Sequence, residues 1–289
     1  MQLRELFADF VYFEYGGSEH HVEKELTRPY FKTGRGEDTL HTYRDLQPNA
    51  FVIYPYRKVE DRLVLVKYEE LQNAYPNLFD FLHIIREKLD NDRRDIKPEP
   101  TSPNEWYRYG RSQSLENCDV PLKIVVGVLS SGYKYSIDRK RTFISSGGTA
   151  GYCPINVPPE SLYSIYYIQA LLSSKYLEWF ASIYGEVFRG GFVARGTKVL
   201  KRMPIVPIDF ENRGEKTLHD KISGTQKKLN HIYSEIKLNS GSERVTTALK
   251  RQFGILEAEL EVKVTELFDL GDADKLIPSI SEIYNKDFD

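Results

Sequence analysis

The sequence predicts an α+β chain: a mixed, largely antiparallel β-sheet domain with packed helices over residues 1–208, then a C-terminal α-helical hairpin over residues 209–289. Three observations carry this expectation. Short aromatic and β-branched runs end at glycine and proline, as antiparallel strands do. One run, LKIVVGVL at Leu122–Leu129, is nearly all apolar, as a central strand buried on both faces is. After Pro207 apolar residues recur every three or four positions over two long stretches. At 289 residues, 40% of them hydrophobic and 28% charged, the chain has the composition of a globular protein with room for a second structural unit.

Taken in order, Phe10–Tyr15 and Phe51–Tyr54 read as strands, closed by Gly16-Gly17 and by Pro55. Between them, HVEKELTRPYFKTGRGEDTL reads as a loop that carries Arg28, Lys32 and Arg35 around Pro29 and two glycines. Leu63–Val66 is a further strand. A helix is expected over Leu78–Leu89, with Asn77 as N-cap and Leu78, Phe81, Leu82 and Ile85 at helical spacing. Asp90–Asn104 is polar, with three prolines, and reads as a loop. In Glu105–Arg111 aromatic and basic residues alternate; this stretch is either core aromatics with Arg108 and Arg111 outside, or an aromatic platform for nucleic acid.

The central strand at Leu122–Leu129 turns at Ser130-Ser131-Gly132 into Tyr133–Ile137 and Arg141–Ile144, two further strands of a meander. Pro158-Pro159-Glu160 starts a helix whose stripe is Ile165, Ile168, Leu172, Tyr176, Trp179 and Ile183. That helix leads into a glycine-rich loop with Arg189 and Arg195, and Lys198 follows on a basic strand closed by Pro204. The hairpin has the stripes Leu218, Ile222, Leu229, Ile232, Ile236 and Val245, Leu249, Phe253, Leu256, Leu260, Val264, Leu267, separated by Asn239-Ser240-Gly241. A short helix over Ala273–Tyr284 ends the chain.

Net charge is −2, but it is unevenly spread. Lys134–Arg202 holds ten Lys and Arg against four acids, whereas Glu211 onward holds twelve basic against fifteen acidic residues. A basic patch facing a polyanion and a solvated basic face both fit that distribution. The two cysteines, Cys118 and Cys153, fit a reducing cytosol better than a disulfide framework. Without a signal-like or membrane-spanning apolar run, the expected setting is cytoplasmic, with no membrane partner.

Several chemistries are a poor match. GFVARGTK at Gly191–Lys198 resembles a phosphate loop, but its last two residues are transposed and a strand, not a helix, is expected next. SSGGTAGY at Ser145–Tyr152 lacks dinucleotide spacing. The six histidines show no zinc spacing. Glu261-Val262-Lys263 has the acid-x-lysine shape of a nuclease site, but within a predicted helix and with no acidic partner upstream. No catalytic or metal-binding residue is therefore assigned, and no cofactor is expected in this chain.

The order of segments resembles the carboxy-terminal target recognition domain of TaqI-like adenine-specific DNA methyltransferases, a domain also found in fused type IIG restriction-modification enzymes. The matching pieces are VEKELTRPYFKTGRG at Val22–Gly36, FVIYPY at Phe51–Tyr56, YPNLFDFL at Tyr75–Leu82, and WYRYGR at Trp106–Arg111. PLKIVVGVL at Pro121–Leu129, YSID at Tyr135–Asp138, YIQALLSSKYLEWF at Tyr167–Phe180 and the segment Phe188–Ile205 follow in turn. Leu267-Phe268-Asp269-Leu270 stands where the family closes on a Leu-Tyr-Gly-Leu type phrase, so a tyrosine and a glycine are replaced.

The resemblance implies sequence-specific recognition of double-stranded DNA beside a methyltransferase domain or subunit, which would bind the S-adenosylmethionine. It implies DNA contacts from Arg28, Lys32, Arg35, Arg108, Arg111, Lys134, Arg139, Lys140, Arg141, Arg189, Arg195 and Lys198. The methyltransferase domain is not in this sequence, so the chain is expected to be one part of such an enzyme, or a stand-alone specificity subunit docking a separate methyltransferase. A nuclease using Glu261 and Lys263 is the alternative from a different class.

Overall fold

The structure, a computed structural model, describes residues 3–6, 9–32, 40–60, 62–91, 99–110, 115–130, 134–144, 151–188 and 192–284. It opens on an antiparallel meander of β1 (Leu3–Leu6), β2 (Phe10–Tyr15) and β3 (Ser18–Glu23). Gly16 and Gly17 make the two-residue turn between β2 and β3 with φ of 62° and 79°, values that glycine adopts without a Cβ clash. Val11 and Phe13 alternate inward.

The expected loop after β3 contains a strand. β4 (Thr27–Phe31) pairs with β5 (Ala50–Ile53) in antiparallel register, Thr27 opposite Ile53 and Tyr30 opposite Ala50. Its ends, Thr27 and Phe31, are buried, as is Leu26 just before it, and this offsets the charged residues that disguise it in the sequence. β6 (Tyr56–Val59) and β7 (Arg62–Leu65) form a hairpin.

The helical stretch that follows is split into α1 (Tyr68–Ala74), α2 (Pro76–Ile84) and α3 (Arg86–Asn91). Asn77 is not the cap: Pro76 occupies the first turn, where its missing N–H costs nothing. The Glu23 carboxylate, at the end of β3, accepts from the N–H of Asn77 (3.0 Å), its Nδ2 (2.8 Å) and the N–H of Leu78 (2.8 Å), a favourable place for negative charge. Trp106 and Tyr107 are buried, which decides for the core reading of that stretch.

After α4 (Leu115–Cys118) comes β8 (Lys123–Gly127), buried at every position, then β9 (Leu129–Ser130), β10 (Tyr135–Asp138), β11 (Phe143–Ile144) and β12 (Tyr152–Asn156). β8 is the centre of the antiparallel sheet β10-β8-β12, as its apolar run demands. β11 departs from the expected meander: Arg141, at φ 53°, redirects the chain, and β11 pairs in parallel with β4.

The expected single helix is two, α5 (Ile165–Leu172) and α6 (Lys175–Tyr184). Ser173 Oγ donates to the Gln169 carbonyl (2.6 Å) and Ser174 Oγ to that of Leu171 (2.7 Å), and Ser174 then caps α6. β13 (Val187–Phe188) and β14 (Phe192–Ala194) join β9 in a small antiparallel sheet. Gly185 lets β14 approach α6: a Cβ there would lie 2.5 Å from the Ala194 carbonyl oxygen and 2.6 Å from that of Ala181. The expected basic strand is instead the single-turn helix α7 (Thr197–Leu200).

α8 (Arg213–Leu238) and α9 (Glu243–Phe268) form the expected helical hairpin, and Asn212 caps the first by accepting from the N–H groups of Gly214 and Glu215. The expected last helix is a 3₁₀ segment, Gly271–Leu276, and α10 (Ile280–Tyr284), separated at Pro278. Among the described residues, no helix is long and apolar enough to cross a membrane.

The chain divides into two compact units, though not at residue 208. The first holds Met1–Asp38, Gln47–Val120 and Lys140–Ser145; the second holds Thr39–Leu46, Pro121–Arg139 and Ser146–Asp289. The core of the first includes Phe13, Phe51, Leu78, Phe81 and Trp106. In the second, Ile222 and Leu229 of α8 and Leu260 and Val264 of α9 share one core with Ile124, Ile137 and Leu171, so the hairpin is part of that unit and not an appendage.

Candidate nucleic-acid interface

In the first unit Arg28 is half-buried. Its guanidinium donates to the carbonyls of Glu25 (2.9 Å) and Thr27 (2.8 Å), lies over the Tyr54 ring at 4.7 Å, and is 3.8 Å from Asp119. Arg141 reaches the same carboxylate at 3.3 Å, so the structure brings these two predicted residues together on Asp119. Lys140 donates to Gln47 Oε1 at 2.8 Å, and Arg108 pairs with Glu105 at 2.8 Å. Lys32 is exposed at the end of β4, where its backbone exchanges hydrogen bonds with the Asn49 side chain. Arg35, Arg111 and Arg189 lie outside the described residues.

The tyrosines of this unit are largely structural. Tyr107 donates to the Val66 carbonyl (2.5 Å) and Tyr109 to that of Ile53, while the N–H of Tyr109 donates to Tyr56 Oη (2.7 Å). Burial raises the hydroxyl pKa of Tyr54, Tyr107 and Tyr109 well above the usual range, so these groups stay neutral.

In the second unit Arg139 is held by Asp45 (3.1 Å) and the Tyr166 hydroxyl (2.6 Å), and Lys198 is exposed on α7. Arg195 requires a correction. Expected on a DNA-facing loop, it has 0% of its surface exposed and pairs with the equally buried Glu178, which also accepts from the Tyr135 hydroxyl at 2.7 Å. A guanidinium neutralised inside the core cannot meet a phosphate. Lys123 and Asp138 form a second fully buried pair. Setting the buried Arg195, Asp138 and Glu178 aside leaves nine basic and two acidic residues in Lys134–Arg202, a stronger bias than the whole segment shows.

Lys134 stands in a group that the sequence did not reveal. Arg44, Lys134 and Lys237 surround His41: burial, then these three charges, hold the His41 imidazole at about 4. Burial and Arg44 also lower the Lys134 ammonium. The members come from a loop, the residue just before β10 and the end of a long helix, so no local pattern announces them.

The nuclease alternative gains nothing from the geometry. The Lys263 ammonium pairs with Glu259, one helical turn back, and donates to Thr225 Oγ1 at 3.2 Å. Glu261 lines a cleft of about 370 Å³ with Tyr43, Lys175 and Glu257. Tyr43 donates to Glu257 at 2.9 Å, and burial holds that carboxyl above its usual range. Among the described residues, no group of three or more His, Cys, Asp or Glu is placed to hold a metal ion.

No protein-family model matches the chain. It is 56% identical over 276 residues to the type II restriction enzyme and methyltransferase RM.Eco57I of Escherichia coli. The match covers 95% of this chain and 28% of that protein, so the chain corresponds to a segment a little over a quarter as long as its curated relative.

Proposed function

We propose that the chain recognises a specific sequence in double-stranded DNA, as the specificity part of a restriction-modification adenine DNA methyltransferase. The observation that carries this reading is the 56% identity to a segment of an enzyme named for both restriction and methylation, over nearly the whole of this chain. Adenine as the target base and the recognition role rest on the resemblance to TaqI-like target recognition domains.

The basic residues provide the means. Lys32, Lys140 and Arg141 of the first unit, and Lys134, Arg139 and Lys198 of the second, would take phosphates and set register, with Arg35, Arg111 and Arg189 as further candidates. Arg28 and Arg108 contribute through positions already braced by Asp119 and Glu105. Sequence would be read at base edges in the major groove.

S-adenosylmethionine belongs with the methyltransferase domain or subunit that would act beside this chain. The chain's own contribution is to bind, orient and help hold the duplex while the partner reaches an extruded base. The expected site of action is the cytoplasm.

Equilibrium binding to a short duplex across a salt series tests the reading. If the chain neutralises six to ten phosphates, affinity falls roughly 10³- to 10⁵-fold between 50 and 200 mM salt, because released counterions drive association. Absence of binding at 50 mM salt, or affinity indifferent to salt, would exclude it.

A further inference from the structure

Three cations of the second unit, far apart in sequence, meet at one imidazole. The loop around His41 lies along β10: the His41 N–H donates to Ser136 Oγ (2.9 Å), and that hydroxyl donates back to the His41 carbonyl (2.9 Å). One step along, the Tyr135 N–H donates to Thr42 Oγ1 at 3.4 Å. Lys134, just before Tyr135, is therefore fixed beside the loop. The Arg44 N–H closes a turn on the His41 carbonyl at 3.1 Å and brings the third residue of that turn alongside. From α8, Tyr233 stacks on the imidazole, ring centres 4.3 Å apart and planes 21° apart. Lys237 follows Tyr233 by four residues, which puts it on the same helix face one turn further on.

Burial first, and then the neighbouring cations, lower His41, and burial and Arg44 lower Lys134. An oxyanion among them would replace repulsion by charge-assisted hydrogen bonds. His41 and Tyr233 supply a rigid aromatic wall, and Ser136 fixes the loop, so the cations are positioned before any ligand arrives.

We infer that Arg44, Lys134 and Lys237 form a phosphate-binding station around His41 that takes one backbone phosphate of the duplex. The inference rests on the DNA-binding reading above for the source of the phosphate; its chemistry, a phosphate oxyanion, is shared with inorganic phosphate.

Linkage supplies a signature. A bound phosphate offsets the three cations and so raises the His41 midpoint, and protonation of His41 favours phosphate by the same factor. The other ionisable groups on the elements packed here include Tyr43 and Asp45 on the same loop, Asp45 held by Arg139; Asp138 on β10, buried against Lys123; Tyr233 and Glu235 on α8; and Glu257 of α9, which reaches the cluster through the Tyr43 hydroxyl. Phosphate would raise the midpoint of every one of them, so the His41 shift keeps its sign whichever also respond.

The test follows the His41 imidazole by NMR through a pH titration of the chain alone, with inorganic phosphate, and with duplex DNA, in the parent and in Lys134→Met and Lys237→Met. Lys237 is exposed, so its replacement leaves the fold intact even if Lys134→Met does not. The station predicts a His41 midpoint near 4 that rises by one unit or more on adding duplex. In the variants the ligand-free midpoint is already higher, the ligand-induced rise shrinks, duplex affinity falls about tenfold and the salt slope weakens by about one.

A parent that binds duplex with an unmoved His41, and variants that bind like it, would overturn the station and leave the DNA reading standing. A parent that binds no duplex but whose His41 responds to inorganic phosphate would keep the station and overturn the DNA reading. Neither response would overturn both.

Discussion

Arg195→Ala is expected to destabilise the protein by roughly 3–5 kcal/mol, the usual cost of removing one partner from a buried ion pair. Glu178 would be left with 0% exposure and, among the described residues, a single remaining partner, the Tyr135 hydroxyl at 2.7 Å. The pair also joins elements: Glu178 is on α6, Arg195 follows β14, and its backbone N–H donates to the Val128 carbonyl at 2.5 Å. Replacing both charges, as Arg195→Met with Glu178→Leu, removes the uncompensated carboxylate and costs less than the single change. Urea unfolding of the three proteins measures this. A loss below about 1 kcal/mol in Arg195→Ala, within the range of surface pairs, would show that the pair is not buried as described.

Gln169→Leu is expected to cost roughly 3 kcal/mol or more although it nearly conserves volume, because unmet buried hydrogen-bonding groups cost about 1–3 kcal/mol each. The Gln169 amide, 0% exposed, donates to the carbonyls of Thr42 and of Tyr135 (2.8 Å) and accepts from Asn230 Nδ2 (2.9 Å). Asn230 Oδ1 in turn accepts from Gln226 at 2.9 Å. This chain of amides ties α5 to β10, to α8 and to the loop that carries His41 and Arg44. Gln169→Leu should therefore also weaken duplex binding by loosening Arg44, whereas Asn230→Leu, which leaves the bond to the Thr42 carbonyl in place, should affect stability more than binding. Equal losses of stability and binding in the two variants would contradict this division.

The parts of the fold legible in the sequence are those whose burial follows a local period. β8 announced itself because all but Lys123 of its run is apolar enough to be buried on both faces, and α8 and α9 because a stripe at three and four residues needs no knowledge of its partner. The break between α5 and α6 was hidden by that same logic: the stripe from Ile165 to Ile183 keeps helical phase through Ser173-Ser174, and only the serine hydroxyls show that the backbone does not. β4 was hidden by Arg28, Pro29 and Lys32, and its parallel neighbour β11 lies more than a hundred residues away, beyond any local signal.

The candidate site was legible as a charge bias and illegible as geometry. Arg195 counted as positive charge on a loop, yet Val193, two residues earlier and buried, marks the inward face of the strand that leads to it, a period-two signal that would have placed Arg195 inside. His41, Arg44 and Lys237 carried no such marker, since each is ordinary in its own segment and they meet only through β10 and α8.

The central claim is that this chain reads DNA sequence. Selection of the chain's preferred duplexes from a pool with a randomised central segment, at a salt concentration where non-specific binding has decayed, tests it most directly. The account predicts that successive rounds converge on one short sequence containing an adenine, and that single changes within it cost about 1–3 kcal/mol each. A pool that remains random while still being bound would contradict sequence recognition, and a pool that is never retained would contradict DNA binding itself.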